Sequence, residues 1–217
     1  MSICVLTAIF GEYDNPWPFL DQDIDCDALI ISDRPYSVPG WRNILAQPTL
    51  DSPRMAAKEP RCLPQLWTDA DIIVWLDAHL EVRSRSFVRE LVSQLGDGRI
   101  GMFRHTYHRA ISQEARLASQ LDKYRGYDLL GQVRHYLDEG HPDSWGMWTT
   151  GVMVRRPSDT LEFGNVWLDE IKRWGPEDQI SLPYALRRTI GYPVDLPFEG
   201  WWEGKRFLLH RHNDGTG

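Results

Sequence analysis

Asp77 and His79 sit two residues apart, just after the apolar run Ile72 to Leu76. On an extended backbone, residues i and i+2 point to the same side, so one divalent cation can take an oxygen ligand from the first and a nitrogen from the second. Asp and His also stand at strand ends as ordinary turn formers, and the spacing alone does not separate these readings. Earlier in the chain, Arg54, Lys58 and Arg61 fall at i, i+4 and i+7 of a helix that Ser52 and Pro53 would start, which places three cations on one face. Such a face is either a solvated helix surface or an anion site. Beside an acid–imidazole pair it suits a nucleoside diphosphate, with a metal and the cationic side chains sharing the phosphate charge.

Other groups are placed to join them. Strand exits gather Thr7, Gly11 and Asp33, with Gly11 leaving room for close approach of a ligand. His210 and His212 share one face of a C-terminal extended segment, and either can supply a distant metal ligand. His105, His108 and Glu114 form a polar cluster that is either plain loop or a place to bind substrate hydroxyls. Asp178 and Gln179 open a helix, where an acid complements the dipole or, if buried, receives an acceptor hydroxyl or faces developing positive charge.

The elements needed to position these residues are an α/β set. Ile3 to Phe10, Asp27 to Asp33 and Asp71 to Leu76 read as strands buried on both faces. Shorter strands are expected at 43–46, 99–104, 149–154, 192–196 and 206–210. Helices are expected from Ser52, over 84–95, 112–124, 128–139 and 161–174, and from Glu177, on apolar spacing and Gly stops. No repeat or linker interrupts the chain, so one domain is expected.

Bulk properties narrow the function. With 217 residues, 42% hydrophobic and 25% charged, the chain is an ordinary globular length and composition. A net charge of −7 argues against a nucleic-acid binder. No stretch reaches the ~20 apolar residues of a membrane helix, and the N-terminus lacks the basic start of a signal peptide. The three cysteines have no paired spacing, so a cytoplasmic location is expected. The lack of Gly-x-x-x-x-Gly-Lys, Gly-x-Gly-x-x-Gly and Gly-x-Ser-x-Gly argues against P-loop, dinucleotide and serine-hydrolase sites.

The combination of Thr7-Ala-Ile-Phe-Gly-Glu-Tyr-Asp14, Lys58 and Trp75-Leu-Asp-Ala-His79 resembles a glycosyltransferase-like family with the GT-A fold. Tyr136-x-x-Glu-Gly-His-Pro-Asp143, Trp145-Gly-x-x-x-x-Gly151 and Arg173-x-x-x-x-Asp-Gln-Ile-Ser-Leu-Pro-Tyr184 resemble it too. That family was long catalogued as a domain of unknown function; its plant members are linked to mucilage and pollen-wall polysaccharides, and it has many bacterial members. The resemblance, which runs from Ile3 to about Tyr184, implies a single-domain, GT-A-like (Rossmann-like) mixed sheet flanked by helices; the domain is expected over residues 1–212, with the polar, glycine-bearing 213–217 a flexible tail. It implies a nucleotide-sugar donor held by Thr7, Gly11, Tyr13, Asp33, Arg54, Lys58, Arg61 and Asp77. It also implies Mn²⁺ (or Mg²⁺) on Asp77 and His79, to which the C-terminal segment is expected to add His210 as the further ligand; His79 stands where the usual motif has a second Asp. Asp178 and Gln179 are then the sugar-facing catalytic pair, and His105, Glu114, His141, Trp148 and Gly151 are the acceptor side.

The expected function is a metal-dependent, hexosyltransferase-like glycosyltransferase. It would move a sugar from a UDP- or GDP-type donor to a glycan or other hydroxyl acceptor, in surface polysaccharide or glycoconjugate synthesis. The competing readings are a sugar-phosphate nucleotidyltransferase, which would want a basic Gly-rich loop where Gly11-Glu-Tyr-Asp14 is acidic, and a non-catalytic carbohydrate- or nucleotide-sugar-binding protein that uses the ten tryptophans.

Overall fold

A computed structural model describes residues 1–197 and 206–210. His212 and the expected tail at 213–217 lie outside the described residues. In chain order the strands and helices are β1 (Ile3–Ile9), β2 (Asp27–Ser32), β3 (Arg42–Leu45), α1 (Pro53–Ala56), α2 (Lys58–Cys62), β4 (Ile72–Leu76), β5 (Leu80–Val82) and α3 (Phe87–Leu95). There follow β6 (Ile100–Arg104), α4 (Ile111–Ala118), α5 (Leu129–Asp138), β7 (Trp148–Arg155), α6 (Leu161–Trp174), α7 (Asp178–Thr189), β8 (Val194–Leu196) and β9 (Phe207–Leu209). The main sheet has the order β3-β2-β1-β4-β7-β6-β8, and β5 pairs with β9 in a small ribbon.

Period-two burial on the central strands sets the layers. Cys4, Leu6 and Ala8 of β1, with Ile73 and Trp75 of β4, pack under Phe163, Trp167 and Ile171 of α6 and Leu182 and Leu186 of α7. Ile3, Val5, Ile72, Val74 and Leu76 face the opposite way, onto Phe87, Val88, Leu91 and Leu95 of α3 and onto Leu80, Val82 and Phe207 of the ribbon. A third apolar cluster joins α4, α5 and α7 through Ile111, Ala115, Val133, Tyr136 and Ile180.

β1, β2, β3 and β4 run parallel, β7 is antiparallel to both β4 and β6, and β8 is parallel to β6. The sheet is therefore mixed, with one reversed strand. That reversal brings the start of β7 to the edge where β4 ends: Leu76 is opposite Val152, and the Asp77 N–H donates to the Gly151 carbonyl at 2.8 Å.

Two local expectations change. Ser52 caps a helix start as expected, its hydroxyl accepting from the Met55 N–H at 3.3 Å, but the helix breaks at Ala57 into α1 and α2. Pro60 sits in the first turn of α2, where its missing N–H has no helical acceptor to lose. The expected helix 112–124 ends at Ala118 and resumes as a 3₁₀ turn at Asp122–Tyr124, which aims Tyr124 inward, 9% exposed.

α2 is fixed at its C-terminal end by one carbonyl. Cys62 O accepts from Arg155 Nη2 of β7 at 2.5 Å, and a Cβ on Gly164 of α6 would lie 2.2 Å from the same oxygen. Gly164→Ala is therefore expected to push α6 off α2, costing about 1–3 kcal/mol and lowering Tm by roughly 3–10 °C. An unchanged melting curve would disprove this packing constraint.

His141 gives a pH prediction. It is 2% exposed, is ringed by Tyr136, Trp145 and Tyr184, and neither ring nitrogen has a hydrogen-bond partner among the described residues. Burial, aided by nearby Arg187, lowers its pKa from the ordinary 6.5 to about 4. As pH falls through that window the unfolded chain takes the proton first, so this contribution to stability is full above 6.5 and is lost by about 4. The difference is worth about 3 kcal/mol at full weight, and about 2 kcal/mol after allowance for solvent screening. Urea unfolding at pH 7 and pH 4 should show a smaller loss in His141→Phe than in the parent by about that amount; equal losses would refute it.

Candidate functional site

The carboxyl edge of β1 and β4, the start of β7, both halves of the broken helix and the start of α7 enclose a cavity of about 220 Å³. Ligands of open α/β sheets bind at this edge. At its floor lies a buried charge network. Arg61 of α2 is 8% exposed and its guanidinium stacks 5.0 Å from the Trp75 ring. Its Nη2 donates to Asp77 Oδ1, while Nη1 donates to Asp178 Oδ2 and, at 3.2 Å, to Thr150 Oγ1. Lys58 Nζ donates to the same Asp178 oxygen at 2.8 Å. Trp75 Nε1 donates to Asp77 Oδ1 at 2.8 Å. Two cations thus face two carboxylates in a site with little water.

Burial alone would raise the Asp178 pKa, but Lys58 and Arg61 outweigh it and hold the group below the ordinary carboxylate range. Its neighbour Glu177 has the opposite fate. Burial, then the charges of Asp178 and Glu114, push it up to about 7. Glu177 was legible only as the acidic cap of a helix, and it does cap α7, accepting from the Gln179 N–H at 3.3 Å. Its altered acidity comes from burial, from the adjacent Asp178 and from Glu114, which the sequence does not show to be a neighbour.

The cavity lining includes Tyr13, Arg54, Lys58, Arg61, Asp77, His79, Asp178 and Gln179 from the sequence reading, and adds Trp75, Tyr124, Thr150 and Glu177. Arg54 Nη2 donates to Tyr13 Oη at 3.3 Å and lies over the Tyr13 and Tyr124 rings. Thr7, Gly11 and Asp33 do not line it. Thr7 is fully buried within β1, and Asp33 Oδ2 accepts from the Gly11 N–H at 2.9 Å, tying two strand exits together. Gly11 has φ +65° and its missing Cβ makes room for Pro53, so its glycine serves the start of α1.

Asp77 and His79 do not share a strand face. β4 ends at Leu76, and Asp77 to Leu80 is a turn closed by the Leu80 N–H on Asp77 O at 2.9 Å. Both residues still line the cavity. His210 is joined to this turn, its N–H donating to His79 O at 3.0 Å, while its ring stacks on Trp17 at 3.7 Å and Nε2 pairs with Glu81 Oε2 at 2.8 Å. Among the described residues, Asp77, His79 and His210 do not bring ligand atoms within 4.8 Å of one another, whereas His105, His108 and Glu114 do.

That second cluster is already satisfied by hydrogen bonds. His105 Nδ1 accepts from the His108 and Tyr107 N–H groups at 2.9 and 3.3 Å, so in the neutral ring the proton sits on Nε2, on the side of Glu114. Burial lowers the His105 pKa, which favours that neutral ring. His108 Nδ1 bonds to Glu114 Oε2, and the two imidazoles stack at 4.5 Å. His105 thus offers no lone pair on its Glu114 side for a metal. Of the remaining expected acceptor residues, His141 and Trp148 lie in aromatic packing, with Trp148 Nε1 on Asp195 Oδ1 at 3.0 Å. Gly151 abuts the site, a Cβ there falling 3.5 Å from Asp77 Oδ2.

Among the described residues no helix is long and apolar enough to cross a membrane. No curated protein matches the chain. Among solved structures it is similar to WbbM, a bifunctional glycosyltransferase in its apo form, with TM-score 0.53 and 13% identity over 90% of this chain. The similarity spans 38% of WbbM, so it concerns the fold of one part of that larger protein. Together with the mixed seven-stranded sheet, this likeness supports the GT-A-like architecture. The profile of the TOD1/MUCI70 glycosyltransferase-like domain matches residues 22–197, a span that carries Lys58, Arg61, Asp77 and Asp178, and the chain belongs to that family.

Proposed function

We propose that the protein transfers a glycosyl group from a nucleoside-diphosphate sugar to a hydroxyl acceptor, using the cavity at the β4 edge for the donor. The observation that carries this reading is the buried Lys58–Asp178–Arg61–Asp77 network, which meets the cavity that Arg54 and Tyr13 also line. A diphosphate brings negative charge, and these cations are positioned to receive it. Arg61 and Lys58 are anchored by carboxylates, so little reorganisation is needed as charge builds on the leaving group. Tyr13 and Tyr124 supply flat surfaces near Arg54 for a base or sugar ring.

In this structure Asp77, His79 and His210 do not bring their ligand atoms within 4.8 Å of one another, so a Mn²⁺ or Mg²⁺ ion would have to draw them together. Asp77 is engaged through Oδ1, which leaves Oδ2 on the Gly151 side. The His210 Nε2–Glu81 bond leaves Nδ1 as the lone-pair nitrogen of the neutral ring, an arrangement in which a carboxylate orients a ligating imidazole. Asp77, His79 and His210 would hold the ion, and when bound it would neutralise the diphosphate and stabilise it as leaving group. Asp178, with Gln179 next to it, is the carboxylate facing the transferred sugar; its charge is kept ionised by Lys58 and Arg61. The fold family fits acceptors in surface polysaccharide or glycoconjugate synthesis.

The reading is tested by adding Mn²⁺ and a panel of UDP- and GDP-sugars while following thermal shift and release of nucleoside diphosphate. Stabilisation by UDP or GDP with slow donor hydrolysis is expected. Asp77→Asn should weaken both by roughly 10–100-fold. Binding of free sugar without nucleotide or metal, and no hydrolysis, would instead favour a non-catalytic carbohydrate binder and sink the proposal.

A further inference from the structure

A second cavity, of about 340 Å³, lies against the first. Lys123, Tyr124, Glu177 and Gln179 line both, so the two spaces are separated by one wall. Beyond that wall the lining changes character. Leu117 and Leu121 are 51% and 48% exposed, an apolar surface on the solvent side of α4 and the turn after it. The lining also includes His108 and the buried carboxylates of Glu114, one turn before Leu117 on α4, and Glu177, 8% and 5% exposed.

We propose that this groove seats the acceptor, and that it takes a neutral polyhydroxylated molecule with one apolar face in preference to an anionic one. The inference rests on the donor reading above and adds to it the place and chemical class of the second substrate. Four observations carry it. The volume falls within the roughly 300–1,000 Å³ of small-molecule sites. A transfer needs donor and acceptor on adjoining surfaces, and Glu177 is the one carboxylate that lines both cavities among the described residues. Carboxylates accept hydrogen bonds from hydroxyls, while Leu117 and Leu121 match the C–H face of a pyranose. Glu114, with the partly ionised Glu177, outweighs the single Lys123 of the lining and disfavours a phosphate or uronate.

The recognition groups are pre-set. Glu114 is held by His108, and His108 by its stack on His105, whose ring is fixed by two backbone N–H groups. His108 Nδ1 is committed to Glu114, which leaves Nε2 for an outside partner. Glu177, near neutrality between Asp178, Glu114, Lys58 and Tyr124, is able to accept or donate to a hydroxyl at physiological pH. A cation held by this cluster is disfavoured by the His105 tautomer described above.

The test is ligand-observed NMR on the full chain saturated with UDP and Mn²⁺, using hexyl glycosides of glucose, galactose, mannose and xylose beside hexyl glucuronide. At least one neutral glycoside should bind while UDP is present, and the glucuronide more weakly. Leu117→Arg, at an exposed position, and the near-isosteric Glu114→Gln should each weaken that binding roughly tenfold or more, with folding checked by the melting curve. Displacement of the glycosides by UDP, tighter binding of the glucuronide, no glycoside binding, or unchanged affinity in either variant would overturn the proposal. A parent protein with no UDP thermal shift fails earlier, at the donor reading, and takes this inference with it. UDP binding without the expected glycoside behaviour fails only here.

Discussion

The arrangement depends on two cations and two carboxylates buried together. Lys58 and Arg61 sit below a tenth exposure, and each is matched by Asp178, with Asp77 completing the set. Such a network is costly to desolvate, and any one member left alone would be far more costly. That constraint ties α2, the end of β4 and the start of α7 to one another. It explains why Arg155 and Gly164 both converge on the last carbonyl of α2, since a shift of that short helix would unpair the charges at once.

The single reversed strand makes the network possible. A fully parallel sheet would send the residues before β7 to the opposite edge. Because β7 runs backwards, Thr150 and Gly151 lie beside Asp77, and Thr150 hydrogen-bonds to both Arg61 and Asp178. The helical layer of α4, α5 and α7 then sits to one side of this edge and builds the neighbouring groove. The cavity and the groove share a wall of Lys123, Tyr124, Glu177 and Gln179.

Much of this was legible because it follows local rules. Ile72 to Leu76 is too apolar for anything but a buried strand, so Asp77 had to emerge at an edge. Arg54, Lys58 and Arg61 all line the cavity despite the break at Ala57, because that one residue keeps right-handed helical angles, φ −67° and ψ −15°. The failures are equally physical. The turn at Asp77–Leu80 replaced an extended segment because β5 must fold back to pair with β9. Trp75, two residues from Asp77 on the same strand face, read as core, and its indole N–H is visible as a partner only with Asp77 in place. Glu81, likewise, becomes meaningful only once β9 delivers His210. Glu177 owes its raised pKa to burial first, then to Asp178 and Glu114, and no pattern in the chain announces that Glu114 is close.

The order in which the network is made has a consequence for biosynthesis. Lys58, Arg61 and Asp77 leave the ribosome well before Asp178, so until α7 emerges the two cations of this edge have the one carboxylate of Asp77 to face. The contacts that close it span more than a hundred residues, and contacts of that separation form late. A fragment that ends before β7 presents an open strand edge at β4, and one that ends before α7 leaves Lys58 without the Asp178 carboxylate. Completion of this edge therefore waits for α7, and a chain halted before residue 178 leaves the Lys58 pair and the second carboxylate pairing of Arg61 unmade.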